Sequence, residues 1–321
     1  MAYEVLAVRY GTRSTRRSEV FLNHHVYGEP DAALPMDYFF WVVRDGERTV
    51  VVDCGFGAGP GARRRRTMLV DPVAALRGLG IEPAAVEQLV VTHAHYDHIG
   101  NLDRFPAAEI VLARRELDFW TGPYAGRLQF AHSTEPDELG LLAEAAADGR
   151  VRLVEDTLDL APGFELVTVG GHTPGQLVAQ VATAGGAVVL AADALHLYEE
   201  LERDRPFFVV ADLADMYRGF DLLREMTEDP GRVLLAGHDA AVPERFPDRV
   251  PGLGPPLADL VVRVARGEGV EPVADPAEGR LGVPTPNATG PIAGDGDLTD
   301  DRVVDALGDV AGGVRVHDQE G

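Results

Sequence analysis

The sequence contains no lysine, so all 29 of its basic residues are arginine, against 52 aspartates and glutamates. The net charge is therefore -23. This charge argues against nucleic acid as a partner, because a phosphate backbone requires a basic footprint on the protein. We expect a small-molecule substrate instead.

Cysteine is nearly absent as well. The one cysteine, Cys54, excludes a disulfide within the chain. No stretch reaches the roughly 18 apolar residues of a membrane span, and residues 1–9 lack the basic and then apolar order of a secretory signal. We expect a cytoplasmic protein that is not inserted in a membrane.

Aromatic residues stop at Phe246. Residues 251–321 contain eight prolines and 13 glycines, and their 13 acidic residues face only five arginines. Such a composition is typical of disordered or low-complexity segments. We predict one folded domain over residues 1–250 and a mostly flexible acidic Pro/Gly-rich extension over residues 251–321. Residues 257–266 and 298–307 are candidate short helices, and the first is the candidate contact of a homodimer.

Within residues 1–250, β-rich apolar segments alternate with helical patterns. Asp45-Gly46 predicts a hairpin between strands at residues 38–43 and 49–52. Asp71 followed by proline predicts the start of a helix that ends near residue 79. Strands interleaved with helices indicate an α/β fold in which helices cover the sheets. Further strands are predicted at residues 88–92, 110–113, 164–169, 187–191 and 232–236, and helices near 113–120, 136–148 and 212–226.

The densest group of potential metal ligands follows the strand that ends at Thr92. His93, His95, Asp97 and His98 lie within six residues. Alternate residues of an extended chain share a side, so a strand end can direct the first two histidines to the same point. Imidazole and carboxylate groups suit Zn(II), Mn(II) or Fe(II). This segment therefore predicts part of a metal site.

Three later apolar strands also end in a potential ligand. His172 lies in a Gly-Gly-His-Thr-Pro-Gly turn, Asp193 follows a buried strand, and His238 follows another. Because α/β folds place their sites at the carboxyl ends of strands, we expect these residues to join the histidine loop.

Together these motifs resemble the metallo-β-lactamase superfamily over about residues 1–250. The resemblance implies an αββα sandwich, two mixed β-sheets flanked by helices, that binds two divalent metal ions, zinc first and manganese or iron as alternatives. Asp53 matches a strand-end aspartate of the family that orients a ligand, although a turn-forming role is an alternative. The resemblance assigns His93, His95 and His172 to one metal, Asp97, His98 and His238 to the other, and Asp193 as the bridge.

Such a pair of cations would lower the pKa of a shared water and polarise the carbonyl under attack. Asp97 is suited to carry a proton to the leaving group. Within the superfamily, the segments at 8–11, 37–41, 98–102 and 237–239 are most similar to the N-acyl homoserine lactonase group. Those lactonases usually carry a tyrosine three residues after the bridging aspartate, where this sequence has His196. We predict a lactonase in which His196 donates a hydrogen bond to the substrate, with a solvent-facing histidine as the alternative.

Four consecutive arginines, Arg63 to Arg66, leave a second function open. Near the metals they would bind an acidic substrate or a phosphopantetheine carrier, which favours a thioester hydrolase of the glyoxalase-II or acyl-carrier type. A solvated charge run is the simpler interpretation. A mono-iron sulfur dioxygenase would not need the second ligand set, and a non-catalytic scaffold would be expected to have lost ligands.

Overall fold

The computed structural model describes residues 2–267 of the chain. Ten α-helices occur among these residues: α1 (Ala58–Arg63), α2 (Pro72–Gly78), α3 (Tyr96–Ile99), α4 (Arg114–Trp120), α5 (Leu128–Ala131), α6 (Pro136–Ala147), α7 (Tyr198–Arg203), α8 (Leu213–Met226), α9 (Val242–Arg245) and α10 (Leu257–Leu260). The same residues form 13 strands: β1 (Glu4–Arg13), β2 (Met36–Arg44), β3 (Thr49–Val52), β4 (Thr67–Met68), β5 (Gln88–Val90), β6 (Glu109–Ala113), β7 (Val151–Val154), β8 (Thr157–Ala161), β9 (Phe164–Thr168), β10 (Leu177–Thr183), β11 (Gly186–Ala192), β12 (Arg232–Ala236) and β13 (Val261–Ala265).

The strands form two mixed sheets. The first has the order β13-β1-β2-β3-β5-β6-β7, with β4 paired to β1, and the second has the order β12-β11-β10-β9-β8. In the first sheet the run from β3 to β7 is parallel and the remaining pairs are antiparallel. In the second sheet only β11 and β12 are parallel. The predicted α/β architecture of two mixed sheets with flanking helices is confirmed.

Strand β2 shows why the first sheet is apolar on both faces. Phe39 and Trp41 belong to a core that also contains Leu190 of the second sheet, whereas Phe40 packs in a separate core with Leu76 of helix α2. Successive residues of a strand point to opposite faces, so a continuous apolar run suits a strand that is covered on both sides. The first sheet therefore lies between the second sheet and a layer of helices.

The other face of the second sheet is covered by α8. Asp212 caps this helix by accepting a hydrogen bond from the Asp215 amide. Met216, Phe220 and Leu223 then follow at helical spacing and are buried in the core between the sheets and this helix. None of the helices in residues 2–267 is long and apolar enough to cross a membrane.

The end of the described chain differs from the prediction. Residues 257–266 do not form one helix, because the β-branched run that starts at Val261 favours an extended strand. Strand β13 pairs antiparallel with β1, Val261 lying opposite Val8. Leu257, Leu260 and Val262 are buried with it. A domain boundary at residue 250 is therefore too early. The rest of the predicted extension, including residues 298–307, lies outside the described residues.

Candidate metal centre

The potential ligands converge from the carboxyl ends of strands in both sheets. His93 and His95 follow β5 in the first sheet, while His172, Asp193 and His238 follow β9, β11 and β12 in the second. Asp97 and His98 lie in the short helix α3, which starts directly after His95. All of these side chains are buried.

One group, which we call the three-histidine triad, consists of His93, His95 and His172. Their ligand nitrogens lie within 4.8 Å of one another. His172 Nε2 faces His95 Nδ1 at 2.9 Å. Three imidazoles at this spacing can hold one metal ion.

A second group, the aspartate triad, consists of Asp97, His98 and His238. Their ligand atoms also lie within 4.8 Å of one another. Asp97 places Oδ1 at 3.9 Å from His98 Nε2 and Oδ2 at 3.9 Å from His238 Nε2. This group adds a carboxylate to two imidazoles.

Asp193 lies between the triads and presents one oxygen to each. Its Oδ2 is 3.7 Å from His93 Nε2 and 3.3 Å from His172 Nε2. Its Oδ1 is 3.3 Å from His98 Nε2 and 3.0 Å from His238 Nε2. A carboxylate in this position is suited to bridge two cations.

Several polar atoms at the centre of this arrangement lack a hydrogen-bond partner within residues 2–267. They include the Nε2 atoms of His93 and His98 and the Oδ1 atom of Asp193, all fully buried. Buried polar atoms are normally paired, and a bound ion is one explanation for a group of exceptions. The seven residues therefore fit two divalent cations, whose preferred donors are imidazole nitrogen and carboxylate oxygen.

Backbone carbonyls fix the orientation of two of the rings. The Nδ1 atom of His172 donates to the carbonyl of Val209, and that of His238 donates to the carbonyl of Asp37, both at 2.8 Å. A carbonyl only accepts, so each ring carries its proton on Nδ1 and directs the Nε2 lone pair into the site.

Asp53 orients His98 in the same way. Its Oδ2 lies 2.7 Å from His98 Nδ1, and its carboxylate accepts 2.8 Å hydrogen bonds from the amide and the hydroxyl of Thr92. Complete burial raises the pKa of Asp53, opposed by His98 and the hydrogen bonds. These contacts support the orienting role expected from the sequence.

The pKa values of the three-histidine triad are shifted in the opposite direction from that of His98 in the aspartate triad. Burial lowers the pKa of His93 and His95 well below its usual value and that of His172 to about 3. These rings are therefore neutral near pH 7, the form that binds metals. Burial also acts to lower the pKa of His98, but the carboxylates of Asp193, Asp53 and Asp97 outweigh it and raise that pKa.

Sequence reasoning missed Glu116, a fully buried residue of helix α4. Its Oε1 accepts hydrogen bonds from the Ala94 amide at 2.9 Å and from Trp120 Nε1 at 2.7 Å. Its Oε2 accepts one from the Gly175 amide at 2.9 Å. One carboxylate thus joins the loop of His93 and His95 to the loop of His172. A glutamate in a helix is usually a surface residue, so the sequence gave no signal for this role.

His196 lies inside the site, so the solvent-facing alternative is wrong. The side chain is buried, with its ring stacked on Phe207 at 3.7 Å between centroids. Nε2 is 3.0 Å from Asp193 Oδ2 and Nδ1 is 3.5 Å from Glu200 Oε1, although neither contact has the alignment of a hydrogen bond. Burial opposes protonation, but Asp193 and then Glu200 raise the pKa of His196 to about 9. Tyr198 does not reach the site, because its hydroxyl donates to the Leu234 carbonyl.

The two triads open into a cavity of about 160 Å³. Asp97, Asp193 and His196 line its floor, and Arg64 and Arg66 lie at its edge. A larger cleft of about 850 Å³ between β3, β5 and neighbouring loops contains none of the histidines. We therefore take the smaller cavity as the substrate site.

The arginine run divides between the surface and this cavity. Arg63 and Arg65 are exposed, and Arg63 pairs with Glu135. Arg64 pairs with the same glutamate and lies 4.1 Å above the ring of Tyr96. The prediction that the arginines are solvated therefore holds for Arg63 and Arg65, whereas Arg64 and Arg66 line the cavity.

The chain belongs to the metallo-β-lactamase superfamily, whose family model matches residues 35–238. It is 33% identical over 193 residues to the N-acyl homoserine lactonase AttM of Azorhizobium caulinodans, a match that covers 56% of this chain and 68% of the relative. The fold is similar to that of an N-acyl homoserine lactone hydrolase solved with N-hexanoyl-L-homoserine bound at the catalytic metal centre (TM-score 0.64, 19% identity, 77% of this chain and 99% of that chain). It is also similar to AidC, a dizinc quorum-quenching lactonase (TM-score 0.60, 19% identity, 74% and 88%).

These comparisons confirm the family predicted from the sequence and the class of enzyme, a hydrolase of ester bonds that resembles the lactonases. The likeness to the solved structures, at 19% identity, is a likeness of fold. The roles of individual residues rest on the geometry described above.

Proposed function

We propose that this protein opens the ring of a small lactone by hydrolysis at a dinuclear metal site. The observation that carries the proposal is the position of Asp193, with one oxygen toward each triad at the floor of a cavity. The identity to a lactonase of Azorhizobium caulinodans supports a lactone as the substrate.

The three-histidine triad and the aspartate triad would each hold one cation, and Asp193 would bridge them. Zinc is the metal we propose, since the donors suit it and a structural neighbour is a dizinc lactonase. Cations bound here would supply a water of lowered pKa and polarise the ester carbonyl. The backbone carbonyls behind His172 and His238 keep the Nε2 atoms of both rings directed into the site, where they would hold the cations.

Asp97 is the group we propose for proton transfer. It lines the cavity, and a carboxylate that would bind a cation through one oxygen could hold a proton on the other. Hydrolysis adds hydroxyl to the acyl carbon and a proton to the ring oxygen, so the product is one hydroxy acid. Asp97 would receive the proton of the attacking water and deliver it to that ring oxygen.

His196 is the group we propose for binding the substrate carbonyl. It lies beside Asp193 in the cavity wall, at the sequence position where lactonases carry a tyrosine. Its Nε2 atom lies 3.0 Å from Asp193 Oδ2 but has no well-aligned partner among the described residues, so it would be available as a donor to the substrate.

A substrate panel with metal analysis tests the proposal. The purified protein is assayed with lactones of several ring sizes, acyl thioesters and phosphodiesters, and its metal content is measured in parallel. We expect about two metals per chain and lactone turnover that disappears in His95→Ala. Rapid thioester cleavage without lactone cleavage would replace the proposal with a thioester hydrolase.

The cytoplasmic location and the homodimer remain predictions. Fractionation of cells tests the first, and the mass of the protein in solution tests the second. Strand β13 lies at the end of its sheet, but part of its outer edge is already bonded within the chain, because Arg249 bridges Val262 and the Arg263 amide donates to the Asp248 carbonyl.

A further inference from the structure

Arg66 differs from the other arginines beside the metal cavity, because no carboxylate of the described residues forms an ion pair with it. Arg63 and Arg64 share Glu135, and Arg13 lies 4.0 Å from Glu19. Arg66 lines the cavity and is half-buried. A charge partly removed from water is costly unless a partner of opposite charge is supplied.

The side chain of Arg66 is held in place by neutral groups. Its Nε donates to the hydroxyl of Tyr96 at 3.0 Å, and its Nη1 donates to the carbonyl of Arg64 at 2.6 Å. Its Cζ lies 5.8 Å from the ring centroid of Tyr38. These contacts fix the guanidinium group without neutralising it, so little side-chain freedom would be lost when a ligand binds.

Three donors of this guanidinium have no partner among residues 2–267. The group carries five N–H donors, and two of them are used by Tyr96 and by the Arg64 carbonyl. The remaining donors lie on Nη1 and Nη2, the edge that forms paired parallel hydrogen bonds with a carboxylate. The Nη2 atom is accessible to solvent.

We propose that Arg66 binds a carboxylate group of the substrate, at the end away from the bond that is cleaved. This inference rests on the proposed hydrolysis at the metal site for the position of that bond. The chain has a net charge of -23 and repels anions in general, so a fixed arginine at the cavity edge is a specific way to admit one. The favoured substrates are then lactones with an anionic substituent, in preference to those with a neutral alkyl chain.

The test uses three lactones with the same ring and linkers of equal length, ending in a methyl group, a carboxylate or a phosphate. The measured quantity is the ratio of kcat/KM for the charged lactone to that for the neutral one. Loss of a hydrogen bond to a charged group costs about tenfold or more. We expect the carboxylate ratio to fall by that factor in Arg66→Gln, and Arg66→Lys, which keeps the charge but not the planar edge, to recover part of it.

Arg63→Gln is the matched control, because it removes the same charge three residues away, at an exposed residue at the end of α1 that does not line the cavity. It should keep the wild-type ratio. Equal ratios for wild type and Arg66→Gln, or an equal fall in both glutamine variants, would overturn the inference. A preference for phosphate over carboxylate would overturn the choice of anion.

A binding measurement separates this inference from the proposed function. Glutarate should raise the melting temperature of the wild-type protein more than that of Arg66→Gln, and propyl phosphate should have a smaller effect. If no lactone is cleaved but glutarate still distinguishes the two proteins, lactone hydrolysis is wrong and the Arg66 site stands. If glutarate stabilises both proteins equally, the Arg66 site is wrong whatever the enzyme cleaves.

Discussion

The two triads have similar spacing but different charge. The three-histidine triad consists only of imidazoles, and burial holds their pKa values low, that of His172 at about 3. The aspartate triad contains a carboxylate, and its His98 is backed by another carboxylate, Asp53. A cation would therefore keep more of its positive charge at the first triad than at the second. The comparison predicts that polarisation of the substrate and proton transfer occur at opposite ends of the site.

The largest effect is expected from the one residue that both triads share. Asp193→Ala removes an oxygen from each, so the metal content should fall well below two per chain. Turnover should fall by more than the roughly 10–100-fold typical of losing an outer hydrogen-bond partner of a ligand. Elemental analysis and lactone kinetics measure both. A variant that keeps two metals, or a wild type that is fully active with one, would contradict the shared role.

Asp97→Asn tests whether proton transfer belongs to the aspartate triad. The amide is similar in size but cannot accept the proton, so kcat should fall by about 10²–10⁴-fold, typical of general acid–base groups, while KM changes little. Asp103→Asn is the control, since Asp103 follows α3 closely and is half-exposed. A kcat equal to that of the control would remove Asp97 from proton transfer.

The two triads also show what could be predicted from the sequence. Their ligands were identifiable because each is a chemically distinctive side chain directly after an apolar strand, in an order that resembles a known family. Glu116 was not identifiable, since its role depends on two loops about 80 residues apart, at Ala94 and Gly175, meeting at one helix. Only tertiary packing creates that contact.

The prediction of strands from the sequence was also incomplete. The strands that flank the Asp45-Gly46 turn, β6 and the strands that precede the metal ligands were predicted, whereas β1, β4, β7, β8 and β10 were missed. Residues 5–8 of β1 form a short continuous apolar run that is buried on both faces, so the alternation typical of a half-buried strand is absent. Strand β13 was missed because residues 251–321 as a whole have the composition of a disordered segment, although their first part packs on β1. The β-branched run at Val261 was the local signal, but pairing with a strand more than 240 residues away leaves no trace in the neighbouring sequence.

Asp53 and Glu116, which hydrogen-bond to a ligand or to the loops that carry ligands, allow the two triads to be perturbed separately. Asp53→Asn should weaken metal binding at the aspartate triad, because it changes the group that contacts His98 Nδ1 and the Thr92 amide. Glu116→Gln should weaken metal binding at the three-histidine triad, because a glutamine leaves an N–H facing the amide of Ala94 or Gly175. Each change should cost about 10–100-fold in metal affinity. Stepwise metal titration against a chelator should show one weakened step and one normal step in each variant.

Glu144→Gln, an exposed change in α6, is the control for charge and should leave both steps unchanged. If Asp53→Asn and Glu116→Gln weaken both steps equally, the triads are not held independently. The site would then have to be treated as one coupled unit.

His196 belongs to neither triad, and its variant is expected to have the smallest effect. His196→Ala should lower kcat/KM by about tenfold, the scale of one hydrogen bond to a developing charge. The metal content decides between two explanations, since Nε2 is also 3.0 Å from Asp193. If His196 binds the substrate, two metals remain and His196→Tyr, which restores a donor, recovers activity. If it instead positions Asp193, metal is lost together with activity, and the tyrosine variant does not restore either.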